Sequence, residues 1–332
     1  MSFEHFPQPQ ETLRNVPPSL PKREITPPPP VFEHAYEREH RTERFVCLSD
    51  IHNDIKAMHA SMRQRKLINE EGEWKHGVRG VHLMITGDSI NKHGPNPEVL
   101  KYLHHLQKTA PEGCRVTVLV GNHELDILTR ETRGEDVGLK EKRIDFFGKM
   151  QVVSKQGQIL FLHRFPSLAL VQELEAQYSE QNADVPDGEL YINSRFQNAV
   201  ATRKITPEES LAVFQECDDG GDSNALEGLT EKEYYEKHGE EIRTLLERMG
   251  VSVVVHGHRR QVTGGQHFEE YIPGIVMINN DTAMADNKNP DGKHRAASVG
   301  ISHSPDGNID INCVYVENTH SGNPYIQQRT LH

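Results

Sequence analysis

The sequence predicts a mixed α/β domain. Three observations carry that expectation. Early in the chain, apolar runs of strand length alternate with segments of helical spacing. Late in the chain, strand-like runs follow one another without helices between them. Five of the runs stop at a polar cluster, and in open α/β sheets ligands gather at the carboxyl ends of strands.

Taken in order, Phe45–Asp50 (FVCLSD) is a short apolar run ending in a polar turn, the pattern of a buried strand. A helix is expected over IKAMHASMRQRKL, where Ile55, Met58 and Met62 recur at helical spacing. Val81–Asp88 (VHLMITGD) is a second strand and turn. In PEVLKYLHHLQK, Val99, Leu103 and Leu106 stand at i, i+4 and i+7 behind Pro97, a residue suited to the first helical position. Arg115–Glu124 (RVTVLVGNHE) is the third strand and turn, and Gln158–His163 (QILFLH) the fourth. Helices are expected over Leu168–Tyr178, Glu189–Arg203, Pro207–Glu216 and Glu231–Met249. In the last, Ile242, Leu245, Leu246 and Met249 share one face. Ser252–His258 (SVVVHGH) is the fifth strand and turn, and Gly274–Asp281, Ala297–Ile301 and Ile309–Val316 close the chain as strands. No internal repeat is present.

Residues 1–40 stand apart. They hold nine prolines, including Pro27 to Pro30, with few large apolar residues. Such a segment forms neither helix nor sheet and is expected to be disordered or polyproline-like. It reads as a tail wrapping the domain or as a ligand for an SH3-like partner. The expected organisation is this extension followed by one domain over 41–332, with a helical insert at about 167–249.

Composition excludes several classes. The chain has 332 residues, long enough for a substantial core. Acidic residues (49) outnumber basic ones (37), giving a formal charge of -12, which argues against a nucleic-acid binder. No run of membrane-spanning length is apolar, so no membrane span is expected. Cys47, Cys114, Cys217 and Cys313 are far apart and form no CxxC, so neither a disulfide scaffold nor a cysteine zinc site is expected. The start of the chain lacks the charged-then-apolar pattern of a signal peptide, and a reducing compartment is the expectation. The unusual count is 20 histidines. Histidine is the commonest metal ligand and a general acid or base.

The strand ends place some of those histidines. The first gives Asp50 and His52, the second Asp88, the third Asn122 and His123, the fourth His163, and the fifth His256 and His258. Any one cluster reads as an ordinary turn. Five in succession, each just past an apolar strand, read as a metal site. The mixture of carboxylate, amide and imidazole suits Mn, Fe or Zn. A bridging carboxylate could hold two ions about 3.5–4 Å apart, the spacing that serves phosphoryl displacement.

The order DIH, GD, GNHE, H, GH resembles the calcineurin-like metallophosphoesterases, most closely the phosphoprotein phosphatase branch with its bacterial and Shewanella-like members. The resemblance runs from about Phe45 to Ile301. GNHE after a strand is its most specific piece. ILFLH followed by LYINSRF (Leu190–Phe196) resembles the Shewanella-like pattern, and VLVGNHELDIL is also similar to the diadenosine tetraphosphatases. The resemblance implies a central β-sandwich flanked by helices in four αββα layers. It also implies two divalent ions, Mn²⁺ first with Fe or Zn as alternatives. Asp50, His52 and Asp88 would bind the first ion. Asp88 would bridge to the second, completed by Asn122, His163 and His258. A hydroxide between the ions would attack phosphorus in line, and His123 would protonate the leaving oxygen.

The sequence departs from that family in several places, among them Val120 where the family has an arginine before GNHE. The second motif is GDSINKHGP where the family has GDxxDRG. Asn91 therefore stands where an aspartate orients the catalytic histidine, and Lys92 near the position of a phosphate-gripping arginine. Asn91 can accept a hydrogen bond from His123 but cannot stabilise an imidazolium by charge. Lys92 lacks the planar fork of arginine. Secondly, the fifth cluster reads GHRR rather than GHxH, so Arg260 replaces a last histidine, as expected of the phosphoprotein phosphatase branch. His256 reads as a strand-end or supporting residue. Thirdly, the family's later phosphate-binding arginine has no counterpart in the acidic loop around Cys217–Glu227. Arg164 is the first candidate to replace it, being adjacent to a ligand. Arg259, Arg260 and Arg195 follow. Asp281 ends a strand where the family often has an aspartate near the site.

The implied activity is that of a protein serine/threonine phosphatase acting on a phosphoprotein. The alternatives are a diadenosine tetraphosphatase-like hydrolase, tyrosine phosphatase activity on the same fold, and a non-catalytic scaffold acting through the proline-rich segment. The expected location is the cytoplasm, or a host cytoplasm for a delivered bacterial effector.

Overall fold

The computed structural model describes residues 44–91, 94–137, 144–180, 191–203, 205, 229–259, 268–269, 271–281, 295–303, 308–317 and 324–331. The proline-rich segment, the helix expected over Pro207–Glu216, the acidic loop, Lys92 and Arg260 lie outside the described residues.

Two mixed sheets form the centre. In the first, β1 (Arg44–Leu48), β2 (Val81–Ile85) and β3 (Arg115–Val118) run parallel. Helices α1 (Ile55–Gln64) and α2 (Pro97–Lys108) connect them. Strands β9 (Arg295–His303), β10 (Ile309–Glu317) and β11 (Pro324–Leu331) extend this sheet antiparallel, in the order β11-β10-β9-β1-β2-β3. The second sheet has β4 (Val153–Gln156), β5 (Ile159–Leu162), β6 (Val253–His256), β7 (Phe268–Glu269) and β8 (Val276–Asn279) in the order β4-β5-β6-β8-β7. Within it β5, β6 and β8 are parallel.

Side-chain alternation sends these strands' residues into two apolar cores. Phe45 and Cys47 of β1, Phe161 of β5 and Val253 and Val255 of β6 pack between the sheets. The Phe45 and Phe161 rings meet at 5.4 Å. The alternate residues, Val46, Leu48, Leu160 and Val254, belong to a separate core that includes Met58 and Met62 of α1 and Leu103 of α2. Because both faces are covered, these strands read as unbroken apolar runs.

The helices start where the chemistry allows. Asp54 caps α1 by accepting from Ala57 N at 2.9 Å, and Asn96 caps α2 by accepting from Glu98 N at 3.0 Å. Between β5 and β6 the described residues form helices α5 (Leu168–Glu180), α6 (Tyr191–Thr202) and α7 (Glu231–Arg248). Thr230 and Glu233 form a reciprocal capping box at the start of α7. Two further helices, α3 (Asn122–Thr132) and α4 (Ile144–Phe147), had no sequence expectation. Neither had β4, β7 and β11.

Candidate metal centre

Parallel strands bring the motifs together. Asp50 and His52 follow β1, Asp88 follows β2, His163 follows β5, His258 follows β6 and Asp281 follows β8. Asn122 and His123 open α3 just past β3. In three of these turns the backbone is left-handed at residues that are not glycine: Asp50 (φ 51) and His52 (φ 45), Asp88 (φ 49), and His258 (φ 69). Such conformations cost about 1–3 kcal/mol each and persist where the surroundings over-determine them.

The Asp88 carboxylate stands between two groups of donors. Its Oδ2 lies 3.9 Å from His52 Nε2 and 3.8 Å from His123 Nε2. Its Oδ1 lies 3.5 Å from His163 Nε2 and accepts from the His123 backbone N–H at 2.9 Å. Asn122 Oδ1 is 2.9 Å from His163 Nε2 and 3.0 Å from His258 Nδ1. Asp50 Oδ1 is 3.7 Å from His52 Nε2. Its Oδ2 accepts from Ser49 Oγ at 2.5 Å and from His258 N at 3.0 Å. Ligand atoms of His52, Asp88 and His123 fall within 4.8 Å of one another, as do those of Asp88, His163 and His258. Asp88 is common to both groups.

The donor chemistry fits cations. Burial pulls the His163 pKa down to about 3, so its ring is neutral at pH 7. A neutral ring has one N–H, and His163 Nδ1 donates it to the Thr86 carbonyl at 2.8 Å. Nε2 therefore offers a lone pair, and it faces Asn122 Oδ1, also an acceptor, at 2.9 Å. A cation resolves that opposition. Burial, then neighbouring His163, lowers the His258 pKa as well.

The carboxylates point the same way. Burial raises the pKa of Asp50 and of Asp88, and the charge of Asp281 adds to the first and that of Asp50 to the second. The sign is destabilising at neutral pH. A carboxyl raised in the folded state stabilises the fold below its unfolded pKa and loses that contribution as pH rises through the folded one. Bound cations would take the place of the protons.

Several supporting residues had no sequence expectation. Glu124 is fully buried and accepts from Asp88 N and Gly121 N, both at 2.9 Å, and from Ile90 N at 3.1 Å. It fastens the Asp88 turn to the start of α3. Asn53 Oδ1 accepts from Asn91 N at 3.2 Å and Asn96 N at 2.8 Å, ordering the turn after β2. Gly121 approaches Asp88 so closely that a Cβ there would collide with the carboxylate.

Asn91 is half-buried in that turn. The Nδ1 of His123 lies 3.2 Å from the carbonyl of Ile90, the residue before Asn91, and 3.1 Å from His52 Nδ1. His256 is fully buried and pairs with Glu269 at 3.1 Å, away from the ligand groups. Arg164 is 2% exposed, and its guanidinium lies over the Phe165 ring at 5.2 Å. Arg195 sits on α6, over Tyr191 and 3.9 Å from Glu173 of α5. None of the described helices is long and apolar enough to cross a membrane.

The calcineurin-like phosphoesterase family matches residues 43–259. The Shewanella-like protein phosphatase 1 of Plasmodium berghei is 30% identical over 94 residues, which is 28% of this chain and 25% of that protein. The Shewanella-like protein phosphatase 2 of Arabidopsis thaliana is 26% identical over 89 residues, 26% of this chain and 22% of that protein. The chain thus aligns with about a quarter of the length of these relatives. A cold-active protein-tyrosine phosphatase of a psychrophilic Shewanella species superposes with a TM-score of 0.54 and 18% identity, over 88% of this chain and 81% of that one. That likeness is one of fold.

Proposed function

The chain belongs to the calcineurin-like phosphoesterase family, and from that premise we propose that it is a metal-dependent phosphomonoesterase acting on phosphoserine and phosphothreonine in proteins. One observation carries the chemistry: the Asp88 carboxylate faces His52 with one oxygen and His163 with the other. Asp50 and His52 complete one side, and Asn122, His163 and His258 the other. Mn²⁺ is the first choice of ion, and Fe or Zn would suit the same donors. Two divalent ions, when bound, supply Lewis acidity and a water that ionises near neutral pH.

The chain's own residues do the rest. Ser49 and the His258 backbone fix the Asp50 carboxylate, and Glu124 fixes the turn that carries Asp88. Orientation set before substrate arrives is a large part of the rate. His123 stands beside Asp88 at 3.8 Å and is assigned the proton given to the leaving oxygen. The Ile90 carbonyl, one residue before Asn91, lies 3.2 Å from its Nδ1 and orients the ring. Arg164, next to His163, supplies a fixed positive charge for the phosphoryl oxygens. Protein substrates are favoured because both curated relatives are protein phosphatases.

A substrate panel tests this reading. Purified protein loaded with Mn²⁺ is assayed on phosphoserine, phosphothreonine and phosphotyrosine peptides, an aryl phosphate and diadenosine tetraphosphate. The highest kcat/KM is expected for a phosphoserine or phosphothreonine peptide. A highest value for the dinucleotide or for phosphotyrosine overturns the substrate assignment, and inertness of the fully loaded protein on all five overturns the activity.

A further inference from the structure

We propose that Arg259 is the phosphate-gripping residue that the second motif no longer supplies, held in place with Arg164 on a shared aromatic platform, Phe165. The inference rests on the phosphomonoesterase reading above and says which side chains take the substrate's phosphate.

Three observations carry it. Both guanidinium groups lie on one ring: Arg164 at 5.2 Å and Arg259 at 5.6 Å from the Phe165 centroid. The electron-rich face of an aromatic ring attracts a guanidinium, so Phe165 holds two like charges near each other. Secondly, each arginine immediately follows a ligand, Arg164 after His163 and Arg259 after His258. Their backbones are therefore as fixed as the centre itself. The Arg259 carbonyl accepts from Asn279 Nδ2 at 2.9 Å, and the same amide donates to Glu269, the partner of His256. Thirdly, the platform is itself braced. Phe165 is 2% exposed and meets Tyr235 of α7 edge-on at 5.9 Å. Tyr235 donates to the Pro166 carbonyl at 3.2 Å and stacks on Tyr271. The helical insert thus locks the loop that carries Phe165.

Arg164 is buried, whereas Arg259 is half-buried. The pair adds two positive charges beside a site built for cations. Such a field favours a dianion, which is the charge of a phosphate monoester, over the monoanion of a diester. Each guanidinium can give a phosphate two parallel N–H bonds, which lysine cannot.

Arg259→Ala and Arg259→Lys test the grip, with Arg243→Ala, which is paired with Glu240 and Glu247 on α7, as control. The readouts are KM and kcat for an aryl phosphate, inhibition by inorganic phosphate, and bound metal per chain. Arg259→Ala is expected to raise KM and the phosphate inhibition constant about tenfold or more, with metal content unchanged and Arg259→Lys recovering only part. Phe165→Leu, which removes the ring, should raise KM and the phosphate inhibition constant in the same direction as Arg259→Ala, with metal content unchanged. An active enzyme whose Arg259→Ala form keeps wild-type KM and phosphate inhibition overturns the clamp while leaving the phosphomonoesterase reading intact. An inactive wild type loaded with metal overturns that reading first.

Discussion

Asp88→Asn is expected to lower kcat/KM by about three orders of magnitude or more, with the fold intact. The substitution preserves shape. An amide oxygen at Oδ1 can still accept from His123 N–H, now 2.9 Å away. What is lost is one negative charge and one acceptor at the carboxylate that, among the described residues, faces both donor groups. An NH₂ group in its place would point two protons at a cation. The same change should not harm the protein when cations are absent. Asp88 is buried with its pKa raised, chiefly by burial and then by Asp50, so a neutral amide relieves a cost that the carboxylate carries at neutral pH. Thermal unfolding in chelator should give a Tm for Asp88→Asn at or above wild type. Kinetics with Mn²⁺ should show the loss. A variant retaining a tenth of the activity contradicts the bridging role.

Gly257→Ala is expected to cost about two orders of magnitude in activity and about 1–3 kcal/mol in stability. A Cβ at Gly257 would collide with Ser49 Oγ and Asp50 Oδ2. Neither side has room to yield. Gly257 N donates to the His163 carbonyl at 2.8 Å, and Asp50 Oδ2 is held by Ser49 and by His258 N. The added methyl therefore moves a ligand carboxylate rather than a loop. Gly77→Ala is the control: its φ is +85 and nothing lies within 4 Å of the added atom. It should destabilise through backbone strain and leave kcat/KM unchanged. Equal activity in the two variants contradicts the close-approach argument.

Much of the architecture was legible because the central strands are buried on both faces. Phe45 to Leu48 and Val253 to Val255 read as apolar runs for that reason. The edges were not. β11 begins at Pro324 and carries Gln327, Gln328 and Arg329, a largely polar text that suits an edge strand and breaks the apolar run. β4 is a four-residue strand with three polar residues, Ser154, Lys155 and Gln156. α3 was hidden because its first residues, Asn122 to Glu124, read as the polar end of a strand.

The site divides in the same way. Ligands stand directly after strands, so local text locates them. Glu124, Asn53 and Phe165 act through partners brought close only by folding, as when Glu124 reaches Asp88 N across 36 positions. The excess of histidine was a weaker guide than its placement. His82 is buried too, yet it bonds Thr117 at 2.8 Å and Arg115 at 2.9 Å between strands and holds no ligand position. The GHRR departure, read from sequence as a missing ligand, gains a use in space through Arg259.

The central claim is that these residues form a two-cation centre, and calorimetric titration of the chelated protein with Mn²⁺ at neutral pH addresses it most directly. Run in buffers of different ionisation enthalpy, it reports ions bound and protons displaced together. The account predicts two ions per chain. It also predicts net proton release that grows as pH falls toward the carboxylate range, because burial shifts the Asp50 and Asp88 pKa upward and protons there compete with cations. Saturation at one ion or fewer, or hydrolysis undiminished in chelator, contradicts it.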